Sequence, residues 1–379
     1  MLTKIELKSF EKRVNFLTYY NVKGYNMSRG SENKMENFIM ENGFGKYLKE
    51  YLEFYHISQS EFASRLGITQ KHMNEILNGK KEITIEMAVT IENLTKIPLD
   101  FIINAEHRKR VTRELLEIYG DKKALEKDIK DRFPIKELDE KEWITFKDIT
   151  NIVQIYMDLM EFLKVKDFKA LEKVQEKTLF KKTGKDLNKL NLWIARCDEL
   201  SREQEVKEYN SINFSFLMQD LKELSYKDGI NIEEIQKILN CYGIYFVVEK
   251  ALNGTKVRGC FKVKLKNPAI YITKNYSSKD SFFFELYHEL GHCKSDYNEA
   301  KSKVFIEGSK EQEERADNFA IKQMVPEDVW NEIIKDTKEK SLLRISEKYK
   351  VPMSFIVGRL AKLNHINYEG KLYNKYRMK

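Results

Sequence analysis

The stretch from Ser58 to Lys81, "SQSEFASRLGITQKHMNEILNGKK", leaves the backbone little choice. Ser58 and Glu61 have the spacing of a capping box, in which Ser58 satisfies the N3 amide and Glu61 reaches back. Gly67 ends this first helix, because glycine takes the left-handed turn conformation cheaply. Thr69 then caps a second helix that runs to about Leu77. Phe62, Leu66, Ile68, Met73 and Ile76 recur at spacings that build one small core. Ala63 is small where a crossing helix must come close.

That core leaves Gln70, Lys71, His72, Asn74 and Glu75 facing out. The second helix of such a pair presents its N-terminal residues to base edges in the major groove. Gln and Asn suit adenine there, and Lys suits guanine. Gln59, Thr69, Asn78, Lys80 and Lys81 fall near helix ends and in the following loop, where phosphates would pass. His72 reads as a surface residue or a phosphate contact. The longer run from Gly45 to about Asn104, "YLKEYLEFYHISQSEFASRLGITQKHMNEILNGKKEITIEMAVTIENLTKIPLDFI" at its centre, resembles the Cro/repressor-type (XRE) helix-turn-helix, specifically its HigA-like antitoxin subgroup. The resemblance implies a five-helix domain and a double-stranded DNA operator as partner.

A second constraint lies at "FFFELYHELGHCK", Phe282 to Lys294. His288 and His292 stand at i and i+4, on one helix face a turn apart. Two imidazoles so placed can grip one zinc ion, with Glu289 on the neighbouring angle, set to contact a bound water instead of the metal. Further on, "EQEERADNFA" places Glu313 and Asp317 one turn apart on another amphipathic helix. Glu313 can supply a carboxylate ligand, leaving a fourth position open as a catalytic zinc site needs. Glu311 and Glu314 compete, but only Glu313 pairs with Asp317 at i+4. Asp317 can accept a hydrogen bond from the free nitrogen of a ligand histidine. Tyr271, Tyr276 and Tyr297 lie nearby in sequence as oxyanion donors, although packing or surface roles are expected for each. The strand "PAIYITK" is a candidate sheet edge for an extended substrate. Cys293 points off the ligand face and is expected to be a packed, inert thiol.

The region from about Asn231 to Trp330 resembles the ImmA/IrrE family of metallopeptidases. It carries "GIYFVVEK", "HELGH" and "EERADNFAIKQMVP". The resemblance implies a gluzincin-like zinc enzyme that cleaves transcriptional repressors. His288, His292 and Glu313 match the ligand positions and Glu289 the catalytic glutamate. Asp317 stands where many members have Asn, and "CKSDYNEA" departs from the usual continuation, which bears on the substrate cleft.

The rest of the chain sets the frame. Its 379 residues make two or three domains the expectation, and 42% apolar residues are enough for sizeable cores. The net charge of +8 is compatible with nucleic acid but carries little weight alone. Four scattered cysteines fit a reducing cytoplasm. No apolar leader and no membrane-spanning run is seen. The expected fold class is α+β, mostly α. Its parts are an N-terminal segment of unknown role (1–42), a helix-turn-helix domain (43–106), a helical connector (107–227) and a peptidase domain (228–379). In the last, a helix precedes a strand at Ile244–Glu249, and a pair of strands around Asn267-Pro268 completes a small antiparallel sheet. "LLRISEKYKVPMSFIVGRLAKL" echoes the helix-turn-helix spacing at Ser346 and Val351, lacks the turn glycine, and reads as a helical cover on the peptidase. The favoured function is a DNA-binding regulator with a zinc endopeptidase that cuts a repressor or antitoxin-type protein in a stress, phage or mobile-element circuit. A second copy of the chain is a further expected partner. The alternative is a HigA-like antitoxin or repressor whose zinc site is structural or sensory.

Overall fold

A computed structural model describes residues 43–146, 149–176, 178–179 and 187–378. The segment 1–42 therefore lies outside the described residues. Among the described residues two compact units emerge, one within 43–135 and 144–159, the other within 136–143 and 160–378. The expected connector is helical, but it is shared between them. Its helix Phe214–Ser225 sends Leu217, Leu221 and Leu224 into the core of the second unit. No helix among the described residues is long and apolar enough to cross a membrane.

In the first unit, α1 (residues 43–54), α2 (Gln59–Arg65), α3 (Gln70–Leu77), α4 (Ile85–Thr95) and α5 (Leu99–Tyr119) enclose one core. Phe62, Met73 and Ile76 are buried in it, with Leu66 and Ile68 packed against it. Gly67 adopts φ +69°, the left-handed turn its position requires. Ser58 and Thr69 cap α2 and α3 through the amides of Glu61 and His72. The expected reciprocal half of the Ser58 box is not made. The Glu61 carboxylate turns instead to Arg65, one helical turn on, a charged pair at i,i+4 that competes with the cap.

The second unit is built on a sheet of order β1-β5-β3-β4-β2, with β1 Thr178–Leu179, β2 Tyr245–Glu249, β3 Gly259–Lys264, β4 Asn267–Thr273 and β5 Val304–Phe305. β3 and β4 form the expected antiparallel hairpin, which turns at Leu265-Lys266, so Asn267-Pro268 opens β4. The sheet as a whole is mixed. β4 inserts between β3 and β2 and runs parallel to β2. "PAIYITK" is consequently an interior strand and not a sheet edge, because both of its sides are already hydrogen-bonded.

One sheet face, with Phe246, Phe261, Ile270 and Ile272, packs with the buried side of α6 (Lys279–Ser295). On the other face Tyr271 and Lys262 both reach Asp198. α7 (Lys310–Met324) starts in a two-way cap between Ser309 and Gln312 and crosses α6. At the crossing, a Cβ on Gly291 would press on the backbone and side chain of Ala316, so these two small residues set how closely the helices approach. The C-terminal helices Glu339–Tyr349 and Met353–Lys362 belong to the same core, with Phe355, Ile356, Val357 and Leu360 buried. Lys350, at φ +52°, makes the turn without glycine. Almost every residue of the second of these helices is buried against the sheet domain.

Candidate metal centre and nucleic-acid face

Close approach of α6 and α7 brings His288, His292 and Glu313 together as a group that can hold a metal ion. The two Nε2 atoms are 3.1 Å apart. His288 Nε2 lies 3.4 Å from Glu313 Oε2, and His292 Nε2 lies 3.4 Å from Glu313 Oε1. Tetrahedral zinc with bonds of about 2.05 Å requires ligand atoms roughly 3.3 Å apart, so the donor set fits that ion in both chemistry and spacing. Glu311 and Glu314 are exposed on the other side of α7.

The far nitrogens of both histidines are occupied. His288 Nδ1 donates to Asp317 Oδ1 at 2.8 Å, as the spacing suggested. His292 Nδ1 donates to Asp296 Oδ2 at 2.9 Å. A carboxylate can only accept, so each bond directs the lone pair of Nε2 towards the shared centre. Asp296 is a partner that reading the sequence missed. Its i+4 relation to His292 was the available signal. It is 6% exposed and also receives bonds from Arg315 (2.7 Å) and Gln312 (3.2 Å). Glu313 in turn accepts the Gly308 amide.

Glu289 is 3% exposed, and its Oε2 has no hydrogen-bond partner. A buried carboxylate oxygen without a partner is costly. Gly259 at the start of β3 makes room for it. A Cβ there would run into the Glu289 carboxylate and crowd Glu285, so a larger residue would have to displace those side chains. No local pattern announces this contact between a strand and a helix thirty positions on.

The carboxylates around the two histidines dominate the electrostatics of the site. Burial depresses His288, yet Asp317 and Glu313 together with the Glu289 and Glu285 charges lift it to about 11. His292 is raised likewise, burial being outweighed by Glu313, Glu289 and Asp296. Burial pushes Glu313 up, but bonds from both histidines and from Gly308 hold it well below the usual carboxylate range. Burial pushes Glu289 up to about 8, against the pull of the two histidines.

Two of the three tyrosines direct their hydroxyls elsewhere. Tyr271 donates to Asp198 (2.6 Å) on the far sheet face, and Tyr297 to the Lys266 carbonyl (2.6 Å). Tyr276 packs edge-on against Phe282. Cys293 is buried, its thiol pushed up to about 12 by burial, with Sγ near the Tyr209 hydroxyl.

On the helix-turn-helix, Thr69, Gln70, Lys71 and Asn74 at the start of α3 are exposed, while Gln59 and His72 are half-buried. Asn78 Nδ2 donates to the Asn74 carbonyl and to its Oδ1, both at 2.8 Å. Lys80 and Lys81 follow on the surface, and Lys81 is 3.3 Å from Glu75.

Comparison with known families bears on both regions. The model of the IrrE N-terminal-like domain, a peptidase family, matches residues 239–361. The helix-turn-helix model matches residues 48–102. No curated protein matches the chain.

Proposed function

We propose that this fusion of an XRE-type helix-turn-helix domain with an IrrE-like peptidase domain is a DNA-bound regulator that carries a working zinc endopeptidase. The observation that carries the reading is the convergence of His288, His292 and Glu313, with Glu289 beside them and its Oε2 unpartnered. His288, His292 and Glu313 would hold the ion. Bound there, zinc supplies the Lewis acidity that makes a water nucleophilic near neutral pH.

The chain's own groups do the rest. Asp317 and Asp296 fix the imidazole tautomers, so both Nε2 lone pairs stay aimed inward. Glu289 takes the water proton on its free oxygen and returns it to the leaving amine. A cation held by the neighbouring ligands would lower the raised pKa of Glu289 and leave it as a base at neutral pH. Gln70, Lys71 and Asn74 would read bases while Gln59, Thr69, His72, Asn78, Lys80 and Lys81 hold the backbone. The substrate is a repressor or antitoxin-type protein, and the setting is the cytoplasm.

The test is cleavage of a repressor encoded beside this chain, by the wild type and by Glu289→Gln. The expected result is cleavage by the wild type alone. Equal cleavage by both would remove Glu289 from the mechanism. Zinc retention without cleavage of any neighbouring gene product would favour the alternative, a non-proteolytic repressor with a structural or sensory metal.

A further inference from the structure

The basic run "HRKRVTR", residues 107–113 on α5, lies beyond the stretch matched by the helix-turn-helix model. One face of α5 nevertheless runs along the loop that follows α3. Glu106 accepts the amides of Phe44 (3.2 Å) and Ile83 (3.4 Å). Lys109 Nζ donates to the Gly79 carbonyl at 2.9 Å. Arg110 and Arg113 both reach the one carboxylate of Glu82, at 2.5 and 3.1 Å. Positions 106, 109, 110 and 113 recur at helical spacing, so they share that face.

Two guanidiniums on one carboxylate leave positive charge over. Each Arg uses a single nitrogen in the contact and stays about half exposed, at 53% and 54%. The rest of each planar fork is available to a bidentate acceptor such as phosphate. Lys80 and Lys81 are exposed two and one positions before Glu82, in the loop that follows α3. The acids facing this group are Glu75, which holds Lys81, Glu106, which is committed to two amides, and Glu114, which acts on Arg110 only through space. Exposed ion pairs are worth about 0–1 kcal/mol, so Glu82 gives up its arginines readily to a stronger anion.

We infer that Arg110 and Arg113 form a second phosphate-gripping arm, which extends the DNA contact from the loop at Lys80 and Lys81 along α5. The inference rests on the reading of the helix-turn-helix as a DNA binder. Glu82 is then a latch that presents the two forks and competes with DNA for them.

The experiment measures binding of the full-length protein to a short mixed-sequence duplex across a salt series. Arg110→Ala/Arg113→Ala is expected to weaken binding and to lower the slope of log K against log salt by about 1.8, two phosphates at roughly 0.9 each. Arg110→Lys/Arg113→Lys keeps the slope and shows that the fold is intact. Glu82→Gln is expected to tighten binding, by up to about fivefold. An unchanged slope in the double alanine variant overturns the arm while leaving the DNA-binding reading in place. Weaker binding by Glu82→Gln also overturns it, because the arginines would then only brace the loop. A wild type that binds no duplex overturns the DNA-binding reading and the arm together.

Discussion

His292 and Gln70 show how differently the two candidate sites are held. His292 is 2% exposed, its far nitrogen bonded to a carboxylate that is itself bonded by Arg315 and Gln312. Gln70 is exposed at the start of α3, with no side-chain hydrogen bond among the described residues. The side chains between α6 and α7 hold one another in place through buried hydrogen bonds, whereas those on the face of α3 have few such partners. A preorganised centre concentrates its energy in few atoms. A surface reader spreads it over many weak contacts. Substitutions should therefore act abruptly in one region and gradually in the other.

The largest effect is expected at the proposed ligands. Zinc at a thousandfold excess over Kd should stabilise the wild type by about 4 kcal/mol. His292→Ala should show no such stabilisation in thermal unfolding. Next come the carboxylates behind the histidines. Asp296→Ala should lower zinc affinity by about 10–100-fold, and more than Asp317→Ala, because Asp296 is buried while Asp317 is half exposed. Competition with a chelator measures both. If Asp317→Ala proved the more damaging, burial would be the wrong guide to this site.

Gly259→Ala should cost about 1–3 kcal/mol through forced overpacking. It should abolish cleavage while zinc stays bound, because the methyl displaces Glu289 and no ligand. On α3, Gln70→Ala and Lys71→Ala should each cost about 1–3 kcal/mol of base discrimination, read in duplex competition, without disturbing zinc.

A separate effect, confined to metal-free protein, concerns pH. In metal-free protein the folded state raises Glu289 from 4.5 to about 8, so it binds that proton more tightly than the unfolded chain does. The associated stability is full below the ordinary carboxylate value and is lost as pH rises through about 8. Glu289→Gln should therefore melt progressively higher than the wild type on going from acid to pH 8, with the two converging at low pH.

Much of the centre was legible because helices have a short period. His288, His292, Glu313 and Asp317 each follow from i, i+4 spacing on two amphipathic segments, and the turn at Gly67 follows from the needs of a left-handed residue. Asp296 obeyed the same rule, but it sits past the helix end, in a stretch that looked like a departure from the family pattern. Gly259 was invisible because its role depends on which strand lies under α6. The interior place of β4 was hidden for a related reason, since a strand's own residues do not say that it will insert between two earlier strands, β2 and β3. The Glu61–Arg65 pair overrode the capping box because two local bonds competed for one carboxylate.

In the proposed mechanism the group that moves a proton is distinct from the groups that hold the ion, and one paired measurement tests that separation directly. Zinc content and cleavage of a neighbour-encoded repressor would be determined for the wild type, Glu289→Gln and Glu313→Ala. The expected result is stoichiometric zinc in the first two, none in the third, and cleavage by the wild type alone. Zinc lost from Glu289→Gln, or cleavage retained by Glu313→Ala, would contradict it.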